Sequence, residues 1–73
     1  MIGYSIHLQK RNKAANGKLF GVRFGRYCIK NNISVIEVTQ QLKVTRQAVY
    51  FWFTGVTEPR KAMVQKIREL YPL

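Results

Sequence analysis

The spacing of apolar positions changes near residue 18, and that change divides the chain. Before it, Tyr4, Ile6 and Leu8 alternate with Ser5, His7 and Gln9. Side chains with a period of two lie on opposite faces of extended backbone, so the pattern predicts a short strand. The "QKRNKAANGK" that follows is basic and polar and closes on Asn16-Gly17, a turn signal. Residues 1–17 therefore read as a basic N-terminal arm, flexible or strand-like, with His7 as an exposed strand residue.

From Lys18 onward the period is helical. Phe20, Phe24, Tyr27 and Cys28 share a stripe, with Arg23, Arg26 and Lys30 on other faces, which predicts a first helix ending at Asn31-Asn32. Gly17, Gly21 and Gly25 stand four apart in this stretch, a spacing that suits close helix packing and differs from a GxGxxG phosphate loop. Ser34 is a good N-cap and Glu37, three residues on, completes a capping box that opens a second helix. Its buried stripe is Val35, Val38 and Leu42, with Thr39 alongside. Lys43-Val44 makes a tight connection to a third helix, capped by Thr45 and stopped by Gly55 in a left-handed conformation. Thr57-Glu58-Pro59 is expected to open a fourth helix, because Pro suits a first helical turn. Met63, Val64, Ile67, Leu70 and Tyr71 form its apolar face, and Arg60, Lys61, Lys66 and Arg68 stay in water. Residues 18–73 thus read as one all-α domain, a compact four-helix unit preceded by the arm.

The third helix carries an unusual run, Tyr50-Phe51-Trp52-Phe53. With Val49 set inward and 100° turned per residue, Trp52 and Thr45 fall on the core face and Phe53 on its edge. Gln47, Phe51 and Thr54 point the opposite way, Tyr50 takes a flank, and Arg46 lies near the helix start. Two of the aromatics belong to the core. The other two face outward and need a partner or a covering.

Charge narrows the choice of partner. Thirteen Lys and Arg stand against three acids, Glu37, Glu58 and Glu69, for a net charge of +10. That imbalance on 73 residues fits a polyanion such as DNA, RNA or an anionic membrane surface. No apolar run approaches the roughly 18 to 20 residues that span a bilayer, and no export signal is visible, so the cytoplasm is the expected compartment. Cys28 is alone, which excludes an internal disulfide and a thiolate zinc site. One His, one Cys and three scattered Glu show no shared spacing. Neither catalysis, a metal nor a cofactor is expected.

Two helices joined by a turn as short as Lys43-Val44 must interlock through fixed apolar positions, here Val38, Leu42, Val44, Val49 and Trp52. The stretch "FGRYCIKNNISVIEVTQQLKVTRQAVYFWFTGVTEPRKAMVQKIREL" resembles the phage lambda repressor/Cro-like helix-turn-helix family of the Xre type. The resemblance covers about fifty residues and rests on "VTRQAV" at the recognition helix, Trp52 three beyond Val49, Gly55 closing that helix and "EPR" after it. Lys43 stands where the family commonly has Gly, and Tyr50 and Phe53 stand where it has polar residues. The resemblance implies an all-α DNA-binding domain, a transcription regulator acting as a homodimer on a palindromic duplex operator.

Candidate site residues follow from helix position and side-chain chemistry. Arg46 and Gln47 in the first turn are the natural base readers, Arg toward guanine O6/N7 and Gln toward adenine N6/N7. Phe51 suits a thymine methyl, Tyr50 can reach a phosphate through its hydroxyl, and Thr54 completes the outward stripe. Gln40 and Thr45 lie beside the phosphates as the family's helix starts do. Lys43, Arg60, Lys61, Lys10, Arg11 and Lys13 would neutralise phosphates without reading sequence. In the competing reading, Tyr50 and Phe51 pack against the arm or a second subunit. With no sensor domain in view, the expected protein is a phage or mobile-element regulator. Its rivals are a protein-interaction module that docks through Tyr50 and Phe51, and a non-specific nucleic-acid coat.

Overall fold

A computed structural model describes residues 5–73, and all regular structure in that span is helical. The elements are α1 (Ile6–Ala14), α2 (Phe20–Lys30), α3 (Val35–Leu42), α4 (Arg46–Thr54) and α5 (Lys61–Leu70).

The first helix corrects the expected strand. Tyr4 lies outside the described residues, but Ile6 to Ala14 are helical, and the Leu8 N–H donates to the Ser5 hydroxyl at 3.1 Å as an N-cap. The inward row is Leu8, Asn12 and Ala15, spaced four and three apart, with Asn12 fully buried. A polar residue at the centre of the buried stripe breaks the helical apolar pattern. What remained legible was the accidental alternation of Ile6 with Leu8, although Ile6 in fact points outward. His7 is exposed, on a helix.

Asn12 is buried because it closes hydrogen bonds between three helices. Its Nδ2 donates to the Phe53 carbonyl at 2.6 Å and to the Val22 carbonyl at 3.2 Å. Phe53 lies in the last turn of α4. At the far end of α1, the Arg26 guanidinium donates to the carbonyls of Asn12, Lys13 and Ala15 at 3.4, 3.2 and 3.1 Å. Within the expected arm, Ile6–Ala14 thus form a helix packed against α2 and α4.

The start of α2 shows a second correction. Leu19 at its N-cap position has no side-chain hydrogen bond. Instead the Glu58 carboxylate accepts from the Phe20 N–H at 3.0 Å and the Gly21 N–H at 2.8 Å. An anion at the positive end of a helix dipole satisfies two orphan donors at once. Glu58 therefore caps α2 and does not open the last helix. That helix starts at Lys61, after the buried Pro59 and with Arg60 in the N-cap position.

Helices α2 and α4 pack most extensively, and two glycines permit it. A Cβ on Gly21 would sit 2.7 Å from the Trp52 carbonyl oxygen, and one on Gly25 would sit 2.7 Å from Asn12 Nδ2 and 2.8 Å from Phe53 Cγ. The core between and below them comprises Phe24, Cys28, Val35, Val38, Leu42, Val49, Trp52, Phe53, Ile67 and Tyr71. Phe24 meets Phe53 edge-on at 5.6 Å and Tyr71 at 5.2 Å between ring centroids. Ile67 in α5 and Tyr71 at its C-cap take the inward row one turn apart, which leaves Leu70, expected on the apolar face, exposed.

Candidate nucleic-acid interface

The α3–α4 pair is built as local chemistry dictates. The Ser34 hydroxyl accepts the Glu37 N–H at 3.1 Å to start α3, and the Thr45 hydroxyl accepts the Ala48 N–H at 3.1 Å to start α4. Between them Lys43 adopts a left-handed conformation with φ 56°, and the Val44 N–H donates to the Thr39 carbonyl. A non-glycine residue there is strained, because its Cβ crowds the following carbonyl. Gly55, at φ 79°, ends α4. Val38, Leu42, Val49 and Trp52 interlock as expected, with Val44 half-buried at the joint.

This geometry sets the rotation of α4. Trp52 and Phe53 are buried, Tyr50 is 38% exposed and Phe51 is half-buried. Arg46 and Gln47 are exposed in the first turn. The Thr54 hydroxyl donates to the Tyr50 carbonyl at 2.8 Å, so its hydrogen is already committed. Around this helix, Gln40, Lys43, Thr45, Arg60 and Lys61 are all solvent-exposed.

The outward stripe of α4 is nonetheless not a bare ridge. A groove of about 460 Å³ runs beside it, with Gln47, Tyr50, Phe51 and Thr54 on one wall and Ser5, Leu8 and Arg11 of α1 on the other. The covering that the aromatics require is thus partly supplied by the N-terminal helix. Of the three α1 cations expected at phosphates, Arg11 alone lines this groove. Lys10 and Lys13 line a groove on the opposite flank of α1, against α2. The expected phosphate set is therefore split between two faces.

No family model, curated protein or solved structure matches the chain.

The Cys28 thiol is buried in the core; burial, with a smaller contribution from the Glu37 charge, pushes its pKa up to about 12. Burial raises the Tyr71 hydroxyl to about 12 as well, with Cys28, Glu37 and Tyr27 adding to the effect. A thiol held protonated at neutral pH is a poor nucleophile. Among the described residues no three His, Cys, Asp or Glu side chains are grouped so as to hold a metal ion, and no helix is long and apolar enough to cross a membrane.

Three residues that position the site were not singled out by sequence reasoning. Asn12 carried no signal, since a buried amide looks like any other polar residue in a basic segment. Glu58 was noticed for the wrong helix, because its partners are 37 and 38 residues away. Arg26 shows in the sequence only as a cation off the apolar stripe of α2, whereas its guanidinium caps α1. The Ser5 N-cap was the one local clue to α1, and without an acidic residue in the following turn it was faint.

Proposed function

We propose that the protein is a sequence-specific, double-stranded-DNA-binding regulator of the lambda repressor/Cro-like helix-turn-helix kind, bound as a homodimer to a palindromic operator. The observation that carries this reading is the first turn of α4. There Arg46 and Gln47 project together, with Tyr50 one turn on, from a helix whose other face is pinned by Val49, Trp52 and Phe53. A rigid helix presenting a guanidinium and an amide at its exposed start matches the donor and acceptor pattern of major-groove base edges. The net charge of +10 supplies the sequence-independent part of the affinity.

Within this proposal base reading falls on Arg46, Gln47 and Tyr50. Phe51 and Thr54 are walled by α1 and support the helix more than they touch bases. Arg11, next to the α4 stripe, takes a phosphate at the groove edge, as Lys43, Arg60 and Lys61 do around the turn and the α5 start. Selection of bound sites from a random duplex pool tests the reading. A palindromic consensus, lost at one or two base pairs in Arg46→Ala or Gln47→Ala, supports it; recovery of random sequence overturns it.

The groove itself favours a second reading, a protein-interaction module. Leu8, Tyr50 and Phe51 make an apolar trough that a partner side chain can enter. A protein that docks there would bind its partner equally well in excess random duplex, whereas a DNA reader would not bind protein at all through this face.

A further inference from the structure

The flank of α1 turned away from α4 has a separate character. Between α1 and α2 runs a groove of about 470 Å³ whose apolar surface comes from Ile6 and Ile29 and whose rim carries Lys10, Lys13, Arg26 and Lys30. Among the described residues no acidic side chain lines it. Ile6 is 68% exposed, the highest value among the described large hydrophobic residues, and Ile29 is half-buried. Arg26 is held by the three carbonyls at the end of α1, so one charge of the rim is fixed in position before any ligand arrives.

From this combination we infer that the α1–α2 groove is a docking site for an acidic amphipathic peptide segment, an α-helix or turn that carries apolar side chains on one face and Asp or Glu beside them. The choice of partner follows from what each part of the groove can recognise. Isolated phosphates need cations and gain nothing from Ile6 and Ile29. A bilayer takes a broad apolar face, and here only Ile6 is exposed, with Ile29 half-buried and cations on both helices beside them. An apolar anchor entering the trough removes both isoleucines from water, and carboxylates beside it meet the four cations at the rim, where charge pairs set register and association rate. The site does not involve the exposed face of α4, so the inference stands apart from the DNA reading. A regulator with both surfaces would hold duplex on one flank of α1 and an acidic protein on the other.

The test is an NMR titration of the ¹⁵N-labelled full chain at near-physiological salt. The probe is a synthetic peptide of about four helical turns with Leu and Phe on one face and Glu and Asp on the others. A scrambled peptide of identical composition, with no apolar face, is the comparison. Saturable shifts centred on Ile6, Lys10, Lys13, Ile29 and Lys30, with the scrambled peptide at least roughly tenfold weaker, are expected. Ile6→Glu, at an exposed position, should weaken the peptide by a similar factor while leaving the dispersed spectrum and any duplex binding intact. Lys30→Glu should do so independently if Ile6→Glu disturbs α1. Equal affinity for both peptides, shifts centred on α4, or no binding would each overturn the proposal. So would displacement of the peptide from these residues by random duplex or by phosphatidylglycerol vesicles, which would make the groove a phosphate track or a membrane contact.

Discussion

The side-chain amide of Asn12 lies 2.6 Å from the carbonyl oxygen of Phe53, joining the N-terminal helix to the last turn of the candidate recognition helix. The bond spans 41 residues of sequence and is fully buried. Because the same amide also reaches Val22, one side chain fixes the mutual placement of α1, α2 and α4, and with it the width of the groove beside Tyr50 and Phe51.

Asn12→Ala should therefore destabilise the protein by about 1 to 3 kcal/mol, since it removes the buried amide that donates to the Phe53 and Val22 carbonyls. Asn12→Asp should be worse, because a carboxylate would face two carbonyl oxygens. Deletion of residues 1–15 should abolish cooperative unfolding altogether, as the total stability of so small a domain is only about 5 kcal/mol or somewhat more. Thermal melts decide this: a truncated chain that melts near the full-length temperature would show that α1 is dispensable.

Glu58→Ala should cost about 1 kcal/mol, the usual worth of a helix cap, although Glu58 itself is exposed. Glu58→Gln should recover part of the loss by accepting one N–H without the charge. Hydrogen exchange localises the effect: protection should fall first at the Phe20 and Gly21 amides, and loss centred on the first turn of α5 would contradict the cap.

Lys43→Gly should stabilise the fold by roughly 0.5 to 1 kcal/mol, less than the full cost of a left-handed Cβ because glycine also frees the unfolded chain. Denaturant midpoints at constant slope report this directly. A destabilised variant would mean that the Lys43 side chain makes a compensating contact. Random-duplex affinity should weaken slightly at the same time, through the lost charge.

Arg46→Ala and Gln47→Ala should each lose about 1 to 3 kcal/mol on a selected operator, with stability unchanged. Phe51→Ala should show the reverse balance, a lower melting temperature with little change in base preference, because its ring is half-buried and faces the α1 wall of the groove. A thymine-specific loss in Phe51→Ala, reproduced in the wild-type protein by uracil at that position, would put the ring on the groove floor after all.

Alkaline pH should unfold the domain through Cys28 and Tyr71. Both hold their protons more tightly when folded, with values near 12 against 9.0 and 10.0 in water. The unfolded chain therefore ionises first, and stability that is intact below about pH 9 declines as pH rises toward 12. Cys28→Ala should flatten that decline in a pH series of denaturant melts while leaving neutral-pH ionisation untouched. An unchanged alkaline slope would remove Cys28 from the account.

How much of this was readable from residue order depends on the range of the interaction. The α3 and α4 caps at Ser34 and Thr45, the left-handed stop at Gly55, and the split of Tyr50 and Phe51 from Trp52 and Phe53 all follow from contacts within four residues or from helix rotation, and the chain states them directly. The first-turn position of Arg46 and Gln47 belongs to the same class. The helical state of Ile6–Ala14 did not, because its buried stripe is interrupted by Asn12, a residue stabilised there only by carbonyls of α2 and α4. Glu58 reads locally as the opening of a helix, yet its carboxylate serves another helix's N–H groups once folding brings α2 alongside. The two grooves flanking α1 exist only after that helix has docked. Local geometry is encoded by neighbouring residues and survives in the sequence pattern; a polar group's partner across the fold is chosen by which unsatisfied donor or acceptor packing leaves within reach, and that choice belongs to the tertiary structure.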